Sequence, residues 1–196
     1  MLKQVKEWSN NFLSNKINSN NDILFDKHEF KLKKYKDENE NKHIYFITGK
    51  LKKDPSKYIK YFWNLDEIKE VNKNILDSIN LINEKDKFKE IYTKFKLRGT
   101  NFSENICDKK DNLFLEKDSN NYTIYSSIDK SISDNNILGD NFIHIQDGYS
   151  IIKLTQNENN GTDVTYLIEF NAELESFKEL IPGIILLKTF TNLNTL

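Results

Sequence analysis

Residues 141–155 read NFIHIQDGYSIIKLT and residues 161–171 read GTDVTYLIEFN, two apolar-rich runs joined by the polar QNENN at 156–160. Alternating apolar and polar positions are the signature of a half-buried β-strand, and the short polar link between them makes a hairpin. Val164, Tyr166, Ile168 and Phe170 share one face of the second run, and Ser150, Ile152 and Leu154 share one face of the first. Ile181-Pro182-Gly183 then leads into the nearly all-apolar residues 184–193. A sheet followed by an apolar helix, with no second sheet after it, predicts that the helix lies across the sheet. The faces named above then look at Leu180, Ile184, Ile185, Leu187 and Phe190. Periodicity alone fits a solid core there as well as it fits a cavity.

Working outward, Leu2, Val5, Trp8, Phe12 and Ile17 fall at roughly helical spacing and predict an amphipathic first helix. Residues 23–35 and 43–51 read as two strands around a polar loop at 36–42. Asp54-Pro55-Ser56 is a helix start, with Asp54 as N-cap and Pro55 where its missing N–H is harmless. A short helix carrying Tyr58, Ile59, Phe62 and Trp63 follows, then a second at about 66–69. From there only strand patterns remain, at 75–82, 88–97, 102–108, 113–117 and 122–128 before the opening pair. Links such as 83–87 and 109–112 are too short for crossover helices, so the pairing is antiparallel. The order predicts an α+β fold in one domain over 1–196: a curved antiparallel sheet wrapped around a C-terminal helix, with an N-terminal helix and two short ones.

The totals exclude several functions. Twenty-nine basic residues against 30 acidic ones, net charge -1, leave no basic stripe for nucleic acid. Cys107 is the single cysteine, so no internal disulfide forms and a reducing compartment is expected. No run approaches the length of a membrane span and no secretion signal is evident, which predicts a soluble, cytoplasmic, monomeric protein. His28, His43 and His144 are scattered, no nucleophile–base set is visible, and only six glycines are present with no phosphate-cradling loop. Neither catalysis, a metal site nor a cofactor is predicted.

The chain resembles the START family, the StAR-related lipid transfer domains with a helix-grip fold. The element order carries the resemblance, with local matches at Ser56 to Trp63, at Ile91-Tyr92-Thr93-Lys94, at residues 148–154, at the Thr162-Asp163-Val164-Thr165-Tyr166 strand and at Ile181-Pro182. It departs where the family often has an Arg–Asp pair (here Asn101-Phe102-Ser103-Glu104), a Trp–Asp pair (Glu70-Val71-Asn72) and an Arg (His144). The resemblance implies a phospholipid of the phosphatidylcholine kind held in an internal apolar cavity, with transient membrane contact. A sterol, another hydrophobic ligand, or a protein-binding adaptor role on the same fold stays open.

Arg98, the only arginine, suits a phosphate because its planar fork donates two hydrogen bonds at once. His144 shares the parity of Ser150 and Ile152 and faces inward if the register holds. Tyr92 and Tyr166 offer hydroxyls or a cation–π face. With Ile152, Ile168, Ile184 and Leu187 as apolar lining, these make the expected ligand set. Each also has an ordinary structural reading, as a surface arginine, a satisfied interior histidine or a core side chain.

Overall fold

The computed structural model of the chain describes residues 1–15, 22–27, 29–37, 42–97, 105–129, 142–172, 189–190 and 192–193. In chain order the elements are α1 (Leu2–Asn15), β1 (Asp22–Lys27), β2 (Phe30–Asp37), β3 (Lys42–Leu51), α2 (Pro55–Tyr58), α3 (Lys60–Trp63) and α4 (Leu65–Val71). The remaining strands are β4 (Leu76–Lys85), β5 (Phe88–Leu97), β6 (Asn105–Asp118), β7 (Asn121–Ile128), β8 (Phe142–Gln156) and β9 (Thr162–Ala172). They form one curved sheet in the order β1-β2-β3-β9-β8-β7-β6-β5-β4. Neighbours are antiparallel; a short parallel contact between Ile106–Asp108 of β6 and Phe142–His144 of β8 is the exception. The β8–β9 hairpin holds the centre, Ile152 opposite Tyr166 and Ser150 opposite Ile168, in the register the alternation implies.

Two expectations are corrected. Residues 23–35 are two strands, because the chain reverses between Lys27 and Phe30, which pair with each other. Glu29 makes the turn at φ 68; a glutamate in the left-handed region carries no turn signature, so the alternation seemed to run straight through. Residues 105–118 are one strand, not two separated by a turn at 109–112. The charged run Lys109-Lys110-Asp111-Asn112 looks like a loop, yet each charge in it has a partner: Lys109 with Asp111 at 2.8 Å, Lys110 with Glu90 at 2.5 Å.

The short helices number three among the described residues, and they follow β3. Asp54 caps α2, accepting from Ser56 N at 2.8 Å. Asn64 breaks α3 by turning extended and caps α4, accepting from Asp66 N and Glu67 N. Residues 189–190 and 192–193 are helical; the rest of the expected closing helix lies outside the described residues. No described helix is long and apolar enough to cross a membrane.

Alternation divides the sheet into two buried faces. The inner face gathers Tyr45, Ile47, Leu154, Val164, Tyr166 and Ile168 with Phe190 and Leu193. The outer face packs Ile44, Phe46, Ile151 and Leu167 against Phe12 of α1. Trp8 ties α1 down, donating its indole N–H to Glu169 at 2.9 Å and packing on Tyr149 with ring centroids 5.6 Å apart. Glu169 is therefore buried under a helix.

At Gly49 of β3 a Cβ would stand 2.0 Å from the Phe30 ring and 2.8 Å from the Glu29 carbonyl. Phe30 is 3% exposed and has nowhere to move. Gly49→Ala is expected to lower stability by about 1–3 kcal/mol through overpacking, read as a fall in the urea midpoint at unchanged slope.

Candidate functional site

Between the inner face and the short helices lies a cavity of about 160 Å³. Its sheet wall is Ile91, Thr93 and Phe95 of β5, Leu113 of β6, Ile124 of β7 and Ile152 of β8, with Leu76 and Ile79 of the edge strand β4. Its helical wall is Tyr61 and Phe62 of α3 and Ile68 and Asn72 at α4, and Thr189 and Phe190 close it. The strands supply apolar side chains because odd-numbered β5 and β6 positions and even-numbered β7 and β8 positions point inward.

One polar cluster interrupts this surface. Lys109 and Asp111, two residues apart on β6 and so on the same face, form an ion pair of 2.8 Å whose side chains are 17% and 3% exposed. Ser126 of β7 donates its hydroxyl to Asp111 at 3.0 Å. The Lys109 ammonium also lies over the Phe95 ring, 6.0 Å from its centroid, a favourable cation–π placement. Tyr166 shares a hydrogen bond with Ser150, and burial pushes its hydroxyl above the ordinary tyrosine value, with Asp111 adding to the rise and Lys109 opposing it. This cluster thus adds a cation, an anion and the hydroxyls of Ser126, Ser150 and Tyr166 to the cavity, and its formal charge, over Lys109 and Asp111, is zero.

Of the expected ligand residues, Tyr166 and Ile152 line the cavity. Ile168 is buried on the same face in the adjoining core but does not reach it. Tyr92 is on the opposite face, where its hydroxyl donates to the buried Asp108 and its ionisation is raised by burial first and then by that carboxylate. It pairs in register with Lys110, not with the inward Lys109, so the alternation that makes Thr93 a lining residue turns Tyr92 away. The backbone of His144 pairs with Asp108 in the parallel contact; its side chain, and Arg98, Ile184 and Leu187 altogether, lie outside the described residues. Sequence reasoning passed over Lys109 and Asp111. The signal was parity: they fall in step with Leu113 and Leu115, which places them on the apolar face once residues 105–118 are one strand.

No protein-family model matches the chain, and no curated protein matches it. Solved structures do match. A STAR-related lipid transfer protein from Xanthomonas axonopodis superposes with a TM-score of 0.71 at 13% identity, covering 90% of this chain and 98% of that one. The fold is that of the START domains. Human STARD10 gives a TM-score of 0.72 at 7% identity over 96% of this chain and 78% of its own. Human StAR-related lipid transfer protein 5 gives 0.70 at 7% over 99% and 94%. At such identities the START likeness concerns the path of the backbone. The cavity residues are this chain's own.

One outcome tests the cluster and another the buried tyrosines on the two faces. Asp111→Ala leaves the Lys109 ammonium without its counter-charge beside an apolar wall and is expected to cost about 3 kcal/mol of unfolding free energy, whereas Lys109→Met with Asp111→Leu recovers most of that loss. Tyr166, inside the cavity, ionises above the ordinary value, and so does Tyr125 on the opposite face of β7, where burial and Glu116 push it up to about 12. The unfolded chain ionises its tyrosines first, so their contribution is complete below about pH 10 and is lost as pH rises through the folded values. Ultraviolet titration of the folded protein should show a tyrosine class with its midpoint near 12.

Proposed function

We propose that this chain is a lipid carrier that takes up one amphiphile, a phospholipid of the phosphatidylcholine kind, and moves it between membranes. The observation that carries the reading is the Lys109–Asp111 pair set in a largely apolar cavity. A zwitterionic head matches it: phosphate toward Lys109, and the quaternary ammonium toward Asp111 and the Tyr166 ring. A head group with net negative charge would meet Asp111 without compensation. Two of the three structures named above carry lipid transfer in their names, which supports the same class of ligand. In this reading Arg98 and His144 add head-group contacts, and Ile152, Ile168, Ile184 and Leu187 meet the acyl chains. Tyr92, on the outer face, has no part in it.

Thermodynamics fits carriage. Burying acyl chains is worth about 0.8 kcal/mol per methylene against water, yet nearly nothing against a bilayer, so an apolar pocket and a few polar contacts suffice to exchange cargo. No covalent chemistry is required of the residues involved. The protein acts as a cytoplasmic monomer in transient contact with membranes, and its near-zero net charge keeps that contact only weakly dependent on anionic lipid.

Native mass spectrometry of the purified protein is expected to show a bound phospholipid, and labelled phosphatidylcholine should move between vesicles when the protein is added. A protein that is empty and inert in both assays sinks the proposal. Within it, Lys109→Met should lower the preference for phosphatidylcholine over diacylglycerol by about tenfold, the loss of one charge-assisted hydrogen bond. If Arg98→Ala leaves that preference unchanged, Arg98 has no head-group role.

A further inference from the structure

β4 is a wall of the cavity with a free side. It ends the sheet, and among the described residues no strand pairs with its outer edge. Leu76, Ile79 and Leu81 stand opposite Phe95, Thr93 and Ile91 of β5. All three of those partners line the cavity, so the β4 side chains lie on that same face of the sheet. Leu76 and Ile79 reach the cavity. Leu81 carries the apolar row past it to the surface, where it is 44% exposed, and Ile82 beside it is 49% exposed. Trp63 and Leu65, partly buried, pack against the same Ile91–Leu113–Ile124 cluster as Ile79 and extend this rim from the helical side.

Two exposed aliphatic side chains on an edge strand fit either an added strand or a lipid surface. The bulges of β4 decide between them. The register against β5 shifts between Leu76 and Ser78 and again between Leu81 and Asn83, so Ile82 is an extra residue without a partner in β5. An edge broken twice offers no continuous row of N–H and C=O groups to a new strand, which is how sheets discourage pairing. A fluid hydrocarbon surface needs no register. Charge points the same way. Glu84 is taken up by Lys89 at 3.0 Å, which leaves exposed Lys85 and Lys87 against Asp86 beside the apolar pair. Lysines in that position lay their stems along apolar surface and hold their ammonium groups at the level of lipid phosphates. The opposite edge of the sheet also has an apolar pair, Ile23 and Leu24 of β1, 54% and 47% exposed. That pair is preceded by an acid, Asp22, and among the described residues no part of β1 lines the cavity.

We propose that the Leu81–Ile82 pair on the β4 edge is the surface on which this protein docks to a phospholipid bilayer. The inference deepens the lipid-carrier reading and rests on it for the purpose of docking: the contact lays the Leu76–Ile79 wall of the cavity beside the membrane. It is apolar first and electrostatic second, as a nearly neutral protein requires.

Two measurements on the full-length protein test this, flotation with dioleoyl phosphatidylcholine vesicles and transfer of NBD-labelled phosphatidylcholine between such vesicles. Leu81→Asn with Ile82→Asn is expected to weaken vesicle binding and slow transfer by about tenfold, because two half-exposed aliphatic side chains no longer leave water. Leu81→Met with Ile82→Leu, which keeps the surface apolar, should match wild type, and so should Ile23→Asn with Leu24→Asn on the other edge. If the double asparagine variant fails to fold, Ile82→Asn alone, at the bulge, decides. Binding unchanged in the β4 asparagine variants, or reduced as much by the β1 pair, overturns the docking surface. Wild-type protein that moves lipid while the β4 asparagine variant moves it equally well leaves the carrier standing and removes this surface. Vesicle binding that depends on Leu81 and Ile82, with no lipid moved, overturns the carrier and leaves the surface. Self-association in sedimentation velocity that the β4 variant abolishes, with no binding to vesicles, makes the pair a protein contact and overturns the proposal.

Discussion

The Lys109–Asp111 ion pair constrains the structure more than any other single contact. Two opposite charges stand in the middle of β6, facing a wall of isoleucine, leucine and phenylalanine. A buried ion without compensation is costly enough that the pair forces its own surroundings. Ser126 must offer its hydroxyl to Asp111, and Phe95 its ring face to Lys109. These requirements fix the register of β5, β6 and β7 against one another as firmly as the apolar alternation does, since a slip of one residue would turn both charges to the other face. The same pair keeps a polar, zero-charge spot inside a space that hydrophobic packing would otherwise close.

The sheet can support such a space because its other face is closed independently. α1 covers the outer side with Phe12 and the Trp8–Glu169 hydrogen bond, and among the described residues the core there shares no side chain with the inner one. Substitutions that alter the inner-face volume are therefore not felt directly in the packing beneath α1. Division of labour between the faces separates the packing beneath α1 from the lining of the cavity.

Much of this is legible in the residues, and the gaps have physical causes. The β8–β9 hairpin, β5, the Asp54 cap and the inward set of Val164, Tyr166, Ile152 and Leu154 follow from period-two alternation and capping chemistry. The β1–β2 turn does not, because Glu29 adopts a left-handed conformation without the glycine or asparagine that would announce it. The interior of β6 does not either. A Lys-Lys-Asp-Asn run has loop composition, and only the fold reveals that its charges are paired across and along the strand. That loop-like composition conceals the most polar part of the site from a reading of the residues alone. Tyr92 was lost to parity, one position away from the lining residue Thr93.

The joining of β3 to β9 also has a bearing on how the chain is made. Leu51 pairs with Thr162 and His43 with Phe170, so the sheet's first three strands find their central neighbour only after about 110 further residues have been synthesised, roughly 6–20 s of ribosome time. Throughout that interval Tyr45 and Ile47, fully buried in the finished protein, have no strand to lie against on that side. Contacts so distant along the chain also make closure slow once it is possible. Assembly therefore hinges on the last strand to emerge, and a nascent chain stalled before it carries an open apolar edge that chaperones have to shield.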